Sequence, residues 1–212
     1  MGSNKKFKIA KDITDKEIVL NLLNSINDKS KITQKFISVQ LGIAVGLANS
    51  YIKRCMKKGW LKVQNIPPRR YAYYLTPKGF AKKTQLTAEY LTHSFKFFRD
   101  SKRICLNLFL ECERKGLKNV ALVGANDLTE IALLVSRETS INILRVISDD
   151  NKKNFFNIKT CKYFNIPKNI DAILLTDINN PEKIYKKIKI ANKGIKILVP
   201  KSLIISKNLN KK

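Results

Sequence analysis

Between Asp15 and Ile26 the apolar residues Ile18, Val19, Leu22, Leu23 and Ile26 recur at intervals of three and four, the spacing of one helical face. Residues 1–11 before them are polar and basic and read as a flexible arm. Thr33 stands where it can cap a second helix that runs to about Leu41, with Phe36, Ile37 and Val39 or Leu41 turned inward. Gly42 ends that helix. A third helix runs from Ala44 to Lys58 and stops at Gly59. Residues 61–64 and 71–75 read as two short strands. Pro67 and Pro68 between them exclude a helix and a central strand, leaving a loop that ends in Arg69 and Arg70.

Thr76-Pro77 has the form of a cap followed by a first helical residue, and no further proline occurs before Gly116. This stretch reads as one long helix or two. Within it Leu91, Phe95, Phe98, Lys102, Cys105, Phe109 and Cys112 follow a 4,3,4,3 spacing, and all but Lys102 are apolar. Such a stripe packs either against the chain's own domains or against a second copy. Its length favours a homodimer through residues 86–116. After Gly116 the period changes. Residues 119–124, 141–148, 171–177 and 195–200 are short β-rich runs, with helical patterns at 127–138 and 181–192. Strand alternating with helix predicts a doubly wound parallel sheet. Residues 151–170 are rich in Asn and Lys and hold one short strand near residues 159–163; residues 205–212 form a tail.

The expected fold is therefore α/β and multi-domain. It comprises a winged helix-turn-helix domain over residues 12–84, linking and dimerisation helices over 85–116, and a small Rossmann-like parallel α/β domain over 117–204.

Charge sharpens this picture. The chain of 212 residues carries 42 Lys and Arg against 16 Asp and Glu, a net charge of +26. Residues 1–116 hold 24 of the basic residues and 8 of the acidic ones, so the first half is the better partner for a polyanion. The four cysteines form no CxxC pair and there is one histidine, His93, which argues against a structural metal site. The cysteines read as small buried apolar residues in a reducing compartment. No apolar run reaches the ~20 residues of a membrane span, so the expectation is a cytoplasmic protein with no membrane partner.

Helix, glycine turn, helix, then two strands joined by an Arg-tipped loop is the order of a winged helix-turn-helix. Ala48, Ile52 and Cys55 share one face of the third helix and can pack inward. Ala44, Val45, Gly46, Asn49, Ser50 and Lys53 fall opposite, and small residues at the helix start let its backbone approach a major groove. Asn49 can pair with the N6/N7 edge of adenine, and Lys53 can reach guanine or phosphate. Arg54, Lys57 and Lys58 can hold the phosphate backbone, as can Arg69 and Arg70 at the wing tip. Thr33 and Gln34, opening the second helix, complete the set of DNA-contact candidates.

These segments resemble the MarR-type winged-helix regulators associated with exopolysaccharide gene clusters. The residues that carry the likeness are Leu41-Gly42-Ile43, Gly46, Asn49, Lys53, Lys58-Gly59-Trp60 and the turn from Tyr73 to Gly79. The resemblance spans about residues 13–95 and implies a homodimeric transcriptional regulator bound to double-stranded DNA. Ala44 departs from the serine common at its position, which weakens the helix cap.

In the second domain, NVALVGANDLTEIALL (119–134) has the layout of a nucleotide-binding turn. Gly124, Ala125, Asn126 and Asp127 form the turn, Asp149 and Asp150 follow the second strand where a ribose hydroxyl would sit, and Thr176 and Asp177 end a later strand at the ligand-binding edge. The dinucleotide fingerprint needs three glycines, but Asn126 and Thr129 replace the second and third. This domain is similar to small Rossmann-like domains of sugar-modifying acyltransferases and nucleotide-sugar enzymes, and the overall plan resembles the redox-sensing Rex repressors. The candidate effector is a nucleotide or nucleotide-sugar; no catalytic triad and no metal site is read. The expectation is a non-enzymatic DNA-binding regulator whose second domain senses a small ligand or partner. The alternatives are an enzyme or accessory subunit of nucleotide-sugar metabolism, and a nonspecific nucleic-acid binder.

Overall fold

The computed structural model describes residues 2–28, 33–66, 70–149, 154–192, 194–201 and 203. The chain divides into two compact units, residues 1–94 and 95–212. The first holds helices α1 (Gly2–Asp28), α2 (Gln34–Leu41) and α3 (Val45–Lys57), strands β1 (Leu61–Ile66) and β2 (Arg70–Leu75), and the start of helix α4 (Pro77–Arg114). The second holds the rest of α4, then β3 (Asn119–Val123), α5 (Asp127–Ser136), β4 (Asn142–Ile147), β5 (Asn154–Phe155), β6 (Ile158–Cys161), β7 (Ala172–Leu175), α6 (Pro181–Ala191) and β8 (Lys196–Leu198).

The arm expected over residues 1–11 is helical backbone from Gly2 onward, continuous with the rest of α1. Neither Pro nor Gly occurs from Ser3 to Asp28, so nothing in the sequence interrupts propagation toward the amino terminus. Leu22, Leu23, Ile26, Ile37, Ala48, Ile52 and Cys55 form the centre of the first core, closed by Leu61, Tyr73 and Leu86. Ile37 and Leu41 of α2 pack there, but Phe36 and Val39 do not, Val39 being 73% exposed. Strands β1 and β2 pair antiparallel from Leu61↔Leu75 to Ile66↔Arg70, which makes the wing.

Gly79 fixes how the wing returns to α4. Thr76 caps the helix by accepting the Gly79 amide at 3.0 Å, donates to the Gly59 carbonyl at 2.6 Å, and gives its own amide to the Trp60 carbonyl at 3.1 Å. That bonding draws the Gly79 backbone onto Trp60. A Cβ at Gly79 would collide with the Trp60 carbonyl oxygen and come within 2.9 Å of its carbon.

The second unit is a six-stranded sheet in the order β5-β6-β4-β3-β7-β8. All neighbours are parallel except β5 and β6, an antiparallel hairpin whose two turn residues, Phe156 and Asn157, both have positive φ. The strand order reverses at β3–β7, so right-handed crossovers put α5 on one face and α6 on the other. Val120, Leu122, Val146, Ala172 and Leu174 pack under α5 and the carboxyl-terminal part of α4; Ala121, Val123, Ile147, Ile173 and Leu175 pack under α6. The 151–170 segment, expected to hold one short strand, holds β5 and β6.

The α4 stripe is one continuous helix, and its two halves differ. Cys105, Phe109 and Cys112 are buried in the second unit's own core, and Lys102 pairs with Glu138 at 2.7 Å. Leu91, Phe95 and Phe98 are exposed. The carboxyl-terminal half of the expected seam, residues 86–116, is therefore taken up by the chain itself.

Candidate nucleic-acid interface

Helix α3 sorts its residues onto two sides. Ala48, Ile52 and Cys55 are at most 1% exposed, anchoring the helix on α1 and α2. Ala44, Val45, Gly46, Ser50, Lys53, Arg54 and Lys57 are exposed, and Asn49 is half-buried at the margin. Ala44 stands at the N-cap with extended backbone and no side-chain hydrogen bond, so the first-turn amides of α3 are left without a side-chain cap. A Cβ at Gly46 would meet nothing within 4 Å, so the start of the helix presents bare backbone to its surroundings. Ser50 turns its hydroxyl back to the Gly46 carbonyl at 3.0 Å.

Lys53, Lys57 and Lys58 are exposed and form no ion pair among the described residues. Arg54 differs. Its guanidinium donates to both oxygens of Asp15 in α1, at 3.1 and 2.9 Å, while the Tyr51 hydroxyl donates to the same carboxylate at 2.7 Å. The hydrogen bond to Asp15 raises the Arg54 pKa. Burial raises that of Tyr51, with Asp15 adding to it. Asp15 lies 39 residues from Arg54 in sequence, and no local pattern marks it as a partner.

At the start of α2, the Thr33 hydroxyl accepts the Phe36 amide at 3.1 Å, which is the cap expected of it, and Gln34 donates to the Tyr73 hydroxyl at 3.2 Å. Both are held by the chain's own structure. Arg69 lies outside the described residues, and Arg70 is described as backbone opening β2.

In the second unit, the residues expected to meet a ligand gather at the tips of β3 and β7 and satisfy one another. Gly124 has φ 112 and lies against Asp177, whose backbone nitrogen and Cα would each be 2.9 Å from an added Cβ. The Thr129 hydroxyl donates to the Gly124 carbonyl at 2.7 Å and stands 2.8 Å from the Thr176 hydroxyl, which bonds the Val123 carbonyl at 2.7 Å. Both threonines are fully buried. The Asn126 side chain caps α5 by accepting the Leu128 amide, and Asp177 accepts the amides of Asn179 and Asn180. Asp127 is exposed in the first turn of α5, and Ala125 is half-buried. Asp149 pairs with Lys187 at 2.7 Å, away from that cluster in sequence and on the side of α6. Asp150 lies outside the described residues. The third-glycine position of the dinucleotide fingerprint is thus a threonine whose hydroxyl ties the first turn of α5 to the ends of β3 and β7.

His93 is exposed on α4. Cys55, Cys105 and Cys112 are buried and free, and Cys161 is half-buried. No group of three or more metal-ligating side chains occurs among the described residues. No helix among them is long and apolar enough to cross a membrane.

Residues 15–62 match the family described as winged helix-turn-helix DNA-binding. No curated protein matches the chain. Among solved structures, the chain is similar to MepR, a transcription regulator of the Staphylococcus aureus multidrug efflux pump MepA, at 12% identity over 46% of this chain and 82% of that one, with a TM-score of 0.34. It is similar to RSP, a Rex-family repressor, at 16% identity over 87% and 74%, with a TM-score of 0.33. It is also similar to the mitomycin 7-O-methyltransferase MmcR at 12% identity over 92% and 78%, with a TM-score of 0.39. Likenesses this distant bear neither on activity nor on ligand. The first unit is a winged helix-turn-helix, followed by a parallel α/β sheet.

Proposed function

We propose that the chain is a sequence-specific, cytoplasmic DNA-binding transcriptional regulator. Helix α3 reads a major groove, the wing holds flanking phosphate, and the parallel α/β unit, Rossmann-like in strand order, senses a small ligand or a partner. The chain works as a homodimer through the exposed part of the α4 stripe around Leu91, Phe95 and Phe98. The regulated genes are those of surface polysaccharide synthesis, by the family resemblance.

The observation that carries this reading is the division of α3: three buried anchors on one side, and small or basic residues around a bare helix start on the other. Lys53, Lys57 and Lys58 supply free cations beside it. The competing reading, an enzyme of nucleotide-sugar chemistry, needs the crevice at β3 and β7. The replacement of the second and third fingerprint glycines by Asn126 and Thr129 weighs against that reading.

The test is selection from a random duplex pool at about 150 mM salt, where purely electrostatic binding is suppressed. The expected product is a motif with two half-sites about one or two helical turns apart. Equal recovery of all sequences would refute the regulator.

A further inference from the structure

Among the described residues, no helix covers one part of the sheet face that carries α5. Two connections lead from β3 to β4 and from β4 to β6, and β5, within the second, lies in the sheet at its edge beside β6. The first connection is α5. The second contains strand β5 and the hairpin turn. Beside α5, over the beginnings of β4 and β6, lies a cavity of about 430 Å³, a volume in the range of small-molecule sites.

Its apolar wall is made by Leu134 from α5, Ile143 from β4, Ile158 from β6 and Phe156 at the hairpin turn, with Ser136, Thr139 and Asn142 adding polar groups. Phe156 is 66% exposed with φ 47, a backbone region that bulky residues rarely occupy and that Asn or Gly would hold at less cost. A large apolar ring is thus kept at the mouth of the cavity against local preference, and strain of this kind gathers at ligand sites. Two charged side chains line the cavity, Glu130 and Arg137, seven residues and hence about 10 Å apart along α5. Arg137 is exposed and pairs with no carboxylate among the described residues. The last carbonyls of α5 are met by the backbone amides of Arg137, Glu138 and Thr139, so the helix end does not engage the guanidinium.

We propose that this cavity binds a small amphipathic anion, its apolar body against Leu134, Ile143, Ile158 and Phe156 and its carboxylate on Arg137. The proposal rests on the sensing role given above to the second unit. It moves the ligand from the tips of β3 and β7, where Thr129 and Thr176 bond to each other, to the opposite ends of the strands. Glu130, about a Debye length from Arg137, repels the carboxylate only weakly there.

The probe is octanoate, whose chain approaches the span from Glu130 to Arg137, with octylamine as the control of opposite charge. The full chain is followed by methyl NMR of its Ile and Leu residues. Octanoate should shift Ile143, Ile158 and Leu134 saturably. Octylamine, and octanoate with Arg137→Gln, should bind about tenfold more weakly or worse, the loss of one charge-assisted hydrogen bond. Leu134→Glu, at an exposed position, should abolish binding without unfolding the chain. Shifts that do not saturate, that fall on the exposed α4 side chains, or that persist undiminished in Arg137→Gln overturn the proposal. The same shifts appearing on raising protein concentration without octanoate would assign the face to a second copy, and also overturn it. None of these outcomes alters the duplex selection, so failure of the cavity and failure of the DNA reading are distinguishable.

Discussion

Asp15 of α1 grips Arg54 of α3 through both carboxylate oxygens, at 3.1 and 2.9 Å, and so neutralises a cation on the proposed DNA-facing helix. Both side chains are partly exposed, so the pair contributes only about 0.2–1 kcal/mol to stability. Its larger consequence is for binding. A phosphate-contacting cation that is already paired releases no counterion of its own. Lys53→Ala should therefore lower the slope of log affinity against log salt by about 0.9, whereas Arg54→Ala should leave it nearly unchanged. Asp15→Asn should raise affinity by freeing the guanidinium. Titration of one duplex at several salt concentrations checks all three; equal slope changes for Lys53 and Arg54 would show that Asp15 releases Arg54 on binding.

Asn49 and Lys53 are the side chains placed to read bases. Replacing both with alanine should remove the preference for a selected site over a scrambled duplex. Each lost base contact costs about 1–3 kcal/mol of discrimination. Thermal stability should hardly move, because neither side chain is in the core. Competition binding with the two duplexes measures the preference.

Gly46 separates fold from function in a single substitution. The position is helical and open, so Gly46→Ala should stabilise the first unit by up to about 1 kcal/mol through helix propensity. The added methyl group lies where the groove floor would approach, so affinity for the selected site should fall. A variant both more stable and equally tight would place the groove on another face of α3.

The periodic parts of this fold were legible, and the reasons are local. Ala48, Ile52 and Cys55 lie at helical spacing and are buried, and the Thr33 cap and the ends of α3 at Ala44 and Gly59 follow from short-range chemistry. The alternation after Gly116 likewise foretold the parallel sheet. What escaped depends on distant partners. Nothing near Asp15 announces Arg54, and nothing in Thr129 alone says that its hydroxyl meets Thr176, 47 residues on. The stripe of α4 has one spacing throughout, but the second core claims only Cys105, Phe109 and Cys112 from it. The β5–β6 hairpin hid because Phe156-Asn157 is not a common two-residue turn.

Buried thiols give each unit a pH dependence, Cys55 in the first and Cys105 in the second. Burial pushes Cys55 up to about 11 and Cys105 up to about 12, from an ordinary value of 9.0. The unfolded chain sheds these protons from about pH 9, while the folded chain keeps them, so the unfolded state binds fewer protons and stability falls as pH rises. For Cys55 the fall runs from pH 9 to about 11. Trp60, the one tryptophan, lies in the first unit and reports its unfolding by fluorescence. The midpoint should drop across that window, and drop less steeply in Cys55→Ala. At pH 8 a thiol reagent should modify Cys161 first, since it alone of the four is not fully buried.

Gly79 supplies the sharpest test of the wing's attachment. Its backbone lies so close to the Trp60 carbonyl that an added methyl group would collide with the oxygen. The oxygen cannot yield, because it accepts the Thr76 amide and belongs to the turn held by the Thr76 hydroxyl on Gly59. Gly79→Ala should therefore cost about 1–3 kcal/mol, the range for overpacking, although alanine is the better helix former. Denaturant unfolding followed by Trp60 fluorescence measures the loss. A neutral or stabilising Gly79→Ala would mean that α4 does not start against Trp60, and the wing would then need another anchor.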